Sequence, residues 1–592
     1  MAHSARCGGN PSQLRATFPR AAAGRSTELL VLFHAVNRPH FMHSPRFILS
    51  FASSVLLASS FAAEKSLSPK TAGHKPSDGP GITVNPHPHE RGNAVAGLKV
   101  FRFETFGNEG FWTDAARMPK GMADAKLTPK QALEAGLQVD IEAIEPAMRA
   151  AMGKELKTDM SPANAPMLHD PMVTVKLIEA NAVAGIVPVD TNGDGKMQIA
   201  PAGPDKVGIS CAICHTVTDK SVFELPGGGS IGKRIDGLAA TTLNVGKLLA
   251  VAANSRAFYP NVHADLSPAP TASRAGKKPL NSDSTEADFD AFFTDPELYP
   301  VGTFDETQDG NGNPVINTAL FRQDLAAPYG TAGEFSKLDD ISNGSFTTNL
   351  DPTTLVTPEG RAFLKIKAGA AGEKLADEYE KILKATGVTG YPFVKAKMQG
   401  KPGELANIVG RRVDEKKLLD MNAYLDALPA PKGAKVEAKL VVQGKKLFET
   451  NCTACHNSDQ SKFVPPNLVE LKNIWPAYQP KVIAKRQPPL SPVQDSPGIF
   501  DDKMIIVDAS DRRDIRGVAL PLLLDLARRT VFLHDASVTG GLDELLDPKR
   551  GEDAPHPFYF QDKGERAAVI GFLHSLDTGE DASLSVRPFK PD

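Results

Sequence analysis

The sequence predicts a mainly α-helical protein, built as two helical domains of one kind with long loop-rich insertions. Three observations predict it. Two copies of a five-residue motif, Cys211-Ala212-Ile213-Cys214-His215 and Cys452-Thr453-Ala454-Cys455-His456, use four of the five cysteines. Apolar residues recur at helical spacing over Val441–Thr450 and Lys563–Leu576, on either side of the second motif. Residues 265–350 instead crowd Pro, Asn, Asp and Gly without periodicity, as a long excursion walling a pocket would.

The motif carries the chemistry. Two thiols three residues apart on one helical turn can join the two vinyl groups of a haem as thioethers, and the adjacent imidazole then reaches the iron. Each copy reads as a covalent haem c site. Cys211, Cys214, Cys452 and Cys455 would hold two haem c groups, with His215 and His456 as proximal ligands. A zinc ribbon closes its second cysteine pair about 15–20 residues after the first, whereas more than two hundred residues intervene here. A thioredoxin-like pair wants a βαβ setting and makes no use of the trailing His. The fold class is therefore two cytochrome c-like helical haem domains.

At 592 residues the chain is too long for one core. Its 41% apolar and 23% charged residues are those of an ordinary globular protein. Without a run of 18 apolar residues, no membrane span is expected. From Met42 the chain has a basic start at Arg46, an apolar run from Phe47 to Leu57, and small residues up to Ala62. These are the three parts of a secretory signal. The expected start is Met42, the expected cut follows Ala62, and the expected location is the periplasm. Loss of residues 1–62 removes six Arg and one Glu, leaving a formal charge of −8 in place of −3. No basic run of five or more suggests a nucleic-acid surface. Cys7 falls in the removed part, which suits export to an oxidising compartment.

The expected division is a leader at 1–62, a Pro-, Ser-, Gly- and His-rich linker at 63–97, an N-terminal haem c domain with extensions at 98–430, and a C-terminal cytochrome c domain at 431–592. Within the first domain, Leu98 to Phe106 alternates before a turn and the aromatic pair Phe111-Trp112. Helices are expected at Thr128–Ala135 and at Asp170–Ala184, the latter with Met172, Val175, Ile178 and Ala182 on one face. Asp190-Thr191-Asn192-Gly193-Asp194-Gly195 has the front half of a calcium loop, but Pro201 stands where the bidentate Glu belongs. Calcium is thus a possible second cofactor, and Asp309 to Asn313 repeats the alternation. Lys233 and Arg234 are candidates to meet haem propionates. The helix ending at Leu428 stops at Pro429-Ala430-Pro431, a domain boundary. In the second domain, Gly444 and Phe448 should face the closing helix, with Ala567, Ile570, Gly571, Leu573 and Leu576 turned inward.

Two C-x-x-C-H motifs in one exported chain, with Phe532-Leu533-His534-Asp535-Ala536-Ser537 and then Leu542-Asp543-Glu544-Leu545-Leu546, resemble the bacterial di-haem cytochrome c peroxidase/MauG superfamily. The stretches Phe101 to Gly107 and Gly232 to Gly237 are similar to a longer branch of it, to which rubber oxygenases are related. The resemblance spans roughly residues 98–580, strong at the motifs and weak between them. Ala536 replaces the motif's usual Gly, and Gly540-Gly541 lengthens the turn after it. The only tryptophans are Trp112 and Trp475, so none stands between the two haem motifs as a relay. Either Tyr259 or Phe258 substitutes or the electronic coupling differs. The distal Glu that peroxidases of the family keep is not assigned to a position in this sequence.

The resemblance implies a peroxidase-like oxidoreductase that reduces peroxide at the first haem with electrons relayed through the second. A di-haem oxygenase, a protein-modifying oxidase and a pure electron carrier are the alternatives. Its partners would be peroxide or dioxygen and a small periplasmic electron donor, a cytochrome c or a cupredoxin. No Met follows Met504, so the sixth ligand of the second haem is sought in His556, ahead of His574, Tyr559 and Met504. His534 suits a hydrogen bond to a propionate or to backbone. For the first haem, His263, Met197 and His169 are candidate distal ligands, and an open, reactive iron is expected.

Overall fold

The computed structural model describes residues 91–262, 280–305, 314–331, 333, 335–453, 456–464, 466–470, 504–508, 518–534, 536, 538–548, 556 and 559–579. The signal and leader, His263, Asp309 to Asn313, Cys455 and Trp475 lie outside these. The described part is mainly helical, with small sheets of two or three strands.

Two crossed helix pairs frame it. Helix α1 (Ala94–Phe103) packs on α2 (Glu415–Ala427), and α3 (Ala438–Asn451) packs on α4 (Lys563–Ser575). Glycines stand at the closest approach of each pair. A Cβ on Gly97 would lie 1.9 Å from the Asp420 carbonyl oxygen and 2.8 Å from the Tyr424 Cβ; a Cβ on Gly444 would lie 1.9 Å from the Ala568 carbonyl oxygen and 2.8 Å from the Phe572 Cβ. One turn on, an aromatic pair locks each crossing. Phe101 and Tyr424 have ring centroids 5.7 Å apart, and Phe448 and Phe572 5.3 Å. The two frames thus share a glycine contact and an aromatic pair one turn away.

Local chemistry sets the ends of these helices. Asn93 accepts from the amides of Val95 and Ala96 at the start of α1, Asp414 from Lys417 in α2, and Asp562 from Glu565 in α4. Pro429 and the extended Leu428 stop α2. In α4 the inward face carries Ala568, Ile570, Gly571 and Leu573, while Ala567 is exposed. That corrects the expected Ala567 contact by one position.

Three apolar cores follow from the frames. One is built on α1 and α2, one on α3 and α4, and the largest gathers residues 111–409 around Phe111, Phe289, Phe293 and Tyr379. The extended stretch Leu522-Leu523-Leu524 runs between the two frames. Leu522 and Leu524 pack into the α1/α2 core, whereas Leu523 joins the α3/α4 core, as the period of two in extended backbone requires. Hydrogen bonds fix it on both sides, from the Ala519 amide to the Thr331 carbonyl and from the Leu523 amide to the Gln460 side chain, each 2.8 Å.

Several expectations change. The stretch from Leu98 reads as alternating but forms helix α1, because Gly97, Leu98 and Phe101 meet α2 at helical spacing. The helix expected to run to Ala184 ends at Glu179, and its buried face is Val173, Thr174, Leu177 and Ile178, leaving Met172 exposed. The loop-rich stretch 265–350 contains a helix, Glu286–Thr294, opened by a Thr285/Asp288 capping box and anchored by buried Phe289 and Phe293.

A methyl at either crossing glycine forces the helices apart. Alanine gains about 1 kcal/mol of helix propensity over glycine, but overpacking typically costs about 1–3 kcal/mol and occasionally more. Gly97→Ala and Gly444→Ala should each lower the thermal midpoint in calorimetry of the haem-loaded protein. Gly153→Ala, in a helix with nothing within 4 Å of the added Cβ, should not. Equal midpoints for all three would contradict the crossing role.

Candidate haem sites

The first motif is delivered by a two-stranded ribbon. Strand Lys206–Ile209 pairs antiparallel with Ile186–Val189 and leads through Ser210 into the short helix Ala212–His215. Asn108, fully buried, extends the ribbon with its side chain, donating to the Ile209 carbonyl and accepting from the Ile209 amide. Gly185, at φ +77°, lies under the motif, where a Cβ would come 2.0 Å from the Ile213 nitrogen. The amides of Ala240 and Gly237 satisfy the carbonyls of Cys214 and His215.

Asp236 ties this motif to its frame. It pairs with Arg102 of α1 at 2.5 Å, accepts from the Tyr424 hydroxyl of α2 at 2.7 Å, and accepts from Thr216, the residue after His215, at 2.9 Å. Burial alone would lower the Arg102 guanidinium, but Asp236 overrides it and holds it above its ordinary value. Arg234 pairs with buried Asp140 at 2.8 Å, and Lys233 points to Glu142 on the surface. Neither lines the haem cavity. The expectation that they meet propionates is replaced by a structural role, since a buried guanidinium needs a carboxylate close by.

His215 has a defined tautomer. Its Nδ1–H donates to the Thr318 carbonyl at 2.7 Å, which leaves the Nε2 lone pair free. The rest of the ring opens onto an internal cavity. Burial pushes its pKa down to about 4, opposed by the Thr318 carbonyl, so at neutral pH the ring is in the ligand form. Burial likewise pushes the Cys211 and Cys214 thiols up to about 12.

The second motif follows α3 directly. The Cys452 amide closes the helix on the Phe448 carbonyl, and the His456 amide donates to the Cys452 carbonyl. The His456 ring faces the His556 ring with centroids 6.1 Å apart and planes inclined by 18°. A metal bonded to one nitrogen of each ring at about 2 Å sets the centroids roughly 6 Å apart, so the spacing of the pair is compatible with an iron between them. Burial first, and the proximity of His556 second, push the His456 pKa down to about 3.

Both motifs open onto one continuous cavity of about 690 Å³. Its histidines, among the described residues, are His215, His456, His534 and His556. His574, Tyr559, His169 and Met197 do not line it. His169 instead bonds the Met160 carbonyl, and the Met504 side chain is outside the described part. Tyr259 and Phe258 also miss the cavity; Tyr259 is tied to Glu378 inside the largest core. Phe258 instead packs on Trp112, with ring centroids 5.3 Å apart. Trp112 is a core residue as expected, its indole N–H on the Leu350 carbonyl, and it also lines the cavity.

A short main-chain bridge links the two sites. Thr318 holds His215, and two residues earlier the Ile316 amide donates to the His534 carbonyl at 2.7 Å. Sequence reading missed this bridge because it uses only backbone groups, which any residue supplies. In the His534 turn, Leu533 and Ala536 have φ of 69° and 56°. The left-handed conformation at 536 favours glycine, and alanine there costs about 1 kcal/mol.

Asp190 accepts from the amides of Gly193 and Gly195 and Asn192 from that of Asp194, an exposed turn network. Among the described residues no group of three His, Cys, Asp or Glu stands together to hold a metal ion.

A family model for cytochrome c matches residues 441–512, beginning in α3 and covering the second motif. This part of the chain is a cytochrome c domain, which implies covalently bound haem c and marks a haem-binding electron-transfer protein. No curated protein and no solved structure matches the chain significantly. No helix among the described residues is long and apolar enough to cross a membrane.

If both motifs bind haem, a pyridine haemochrome assay of the denatured protein gives two covalent haems per chain. Cys211→Ala with Cys214→Ala should leave one. An unchanged count in that variant would remove the first site.

Proposed function

We propose that the chain is an exported di-haem c-type cytochrome that reduces peroxide at the first haem site with electrons relayed through the second. The observation that carries this reading is the unequal supply of imidazoles. At the second motif the His556 ring stands beside the His456 ring; at the first, no described imidazole makes such a ring contact with His215, and the candidate His263 lies outside the described residues. An iron with two protein ligands stores and passes electrons, whereas an iron with one has a face left for a small molecule.

When bound, haem iron supplies one-electron transfer and a site for peroxide. The residues of this chain do the rest. Cys211, Cys214, Cys452 and Cys455 would anchor the two groups, His215 and His456 would supply an imidazole to each iron, and His556 would supply a second imidazole at the second site. The Thr318 carbonyl keeps the His215 proton on Nδ1 and orients the ring. The bridge from Thr318 to His534 and the Leu522–Leu524 strap give a bonded and packed route between the sites. A small periplasmic cytochrome c or cupredoxin would deliver two electrons singly, and two protons complete the conversion of peroxide to two waters.

One observation favours a second reading, oxidation of an apolar organic molecule with dioxygen. The cavity extends from the first motif along Met118, Met122, Leu127, Leu133, Met152 and Leu177, all apolar, and its described lining contains no Glu to serve as the acid.

Peroxide consumption with a reduced small cytochrome c separates them. The first reading predicts turnover that falls at least 100-fold in His215→Ala, with the second haem's low-spin spectrum unchanged. Absence of peroxide turnover in the wild type, with oxygen uptake on adding an apolar substrate, would replace it by the second.

A further inference from the structure

The fold pairs its buried arginines. Arg102 has Asp236, Arg234 has Asp140, and Arg412 has Asp339 and Asp340. Arg529 has no such ion pair among the described residues. Its Nε is buried without a hydrogen-bond partner, as are Arg412 Nε and Arg234 Nη1, but only the Arg529 side chain, of these three, lines the cavity. The guanidinium carbon lies 5.7 Å from the centroid of Phe532, a member of the core around the second motif.

Asp525 is the only carboxylate among the described cavity residues. Its hydrogen bonds go to Arg528, with Nε on Oδ1 at 2.6 Å and Nη2 on Oδ2, and its charge only partly offsets the burial of Arg529 nearby. A guanidinium keeps its charge in any protein setting. The face of Phe532 offsets part of the lost hydration but leaves the in-plane N–H donors unmet. An unpaired buried charge is a heavy cost to a fold, and these donors form a fork that matches a carboxylate.

We propose that Arg529 is the receptor for a carboxylate inside the cavity, beside the second haem site. This rests on reading that site as a haem site. Two sources offer the same chemistry, a propionate of the haem itself and the acid group of a free organic molecule.

The test uses the full haem-loaded chain with Arg529→Gln and Arg529→Lys, which keeps charge but not the fork. Two quantities are measured: the reduced-to-oxidised ratio of the second haem at fixed potential, and binding of octanoate by calorimetry. If the partner is a propionate, Arg529→Gln lowers that ratio about tenfold, a shift of about 59 mV for one electron. Arg529→Lys then stays near wild type, and octanoate does not bind. If the partner is a free acid, octanoate binds the wild type and not Arg529→Gln, and the ratio is unchanged. Haem present at the second motif with both quantities equal in wild type and Arg529→Gln overturns the Arg529 proposal alone. A wild-type chain with no haem at the second motif overturns it together with the reading beneath it.

Discussion

The close approach of two helices at glycine is the constraint on which the structure depends. At Gly97 and Gly444 the helices meet backbone to backbone, with Asp420 and Ala568 offering carbonyls where side chains would stand. Phe101 with Tyr424, and Phe448 with Phe572, then fix the crossing one turn away. The same device is used twice, with the motif directly after α3 but more than a hundred residues after α1.

From that frame, rigidity passes to the sites by polar contacts. Asp236 joins both helices of the first frame to the residue following His215. Breaking such a buried ion pair from one side costs about 3–5 kcal/mol, so the motif cannot shift independently of α1 and α2. The ribbon 316–318 then fastens His215 to the His534 turn, and the strap at Leu522–Leu524 packs into both cores. Two motifs fastened to common backbone are held at a fixed separation, as the proposed relay requires.

Much of the chemistry was legible in the sequence. The repeated C-x-x-C-H motif carries its own spacing rule, and Gly444 with Phe448 gave the second frame. The first frame was hidden by its distance from the first motif, and because the apolar residues of Leu98 to Phe106 fit a period of two nearly as well as a helix. Thr285-x-x-Asp288 was a readable helix start inside the stretch taken as loop. Thr318 was not readable at all, since it acts through its carbonyl. Arg234 misled because a cation near a haem motif suggests a propionate, yet Asp140 lies closer. Arg529 carries no sequence mark, and its importance lies in the partner it lacks.

The central claim is that the two sites differ in axial ligation. Electron paramagnetic resonance of the resting, fully oxidised, haem-loaded protein tests it most directly. Imidazole planes inclined by only 18° at the second site should give a rhombic low-spin ferric signal, accompanied by a high-spin ferric signal of equal spin count from the first. Two low-spin signals of equal weight, with no high-spin component, would contradict the claim and leave a protein that only carries electrons.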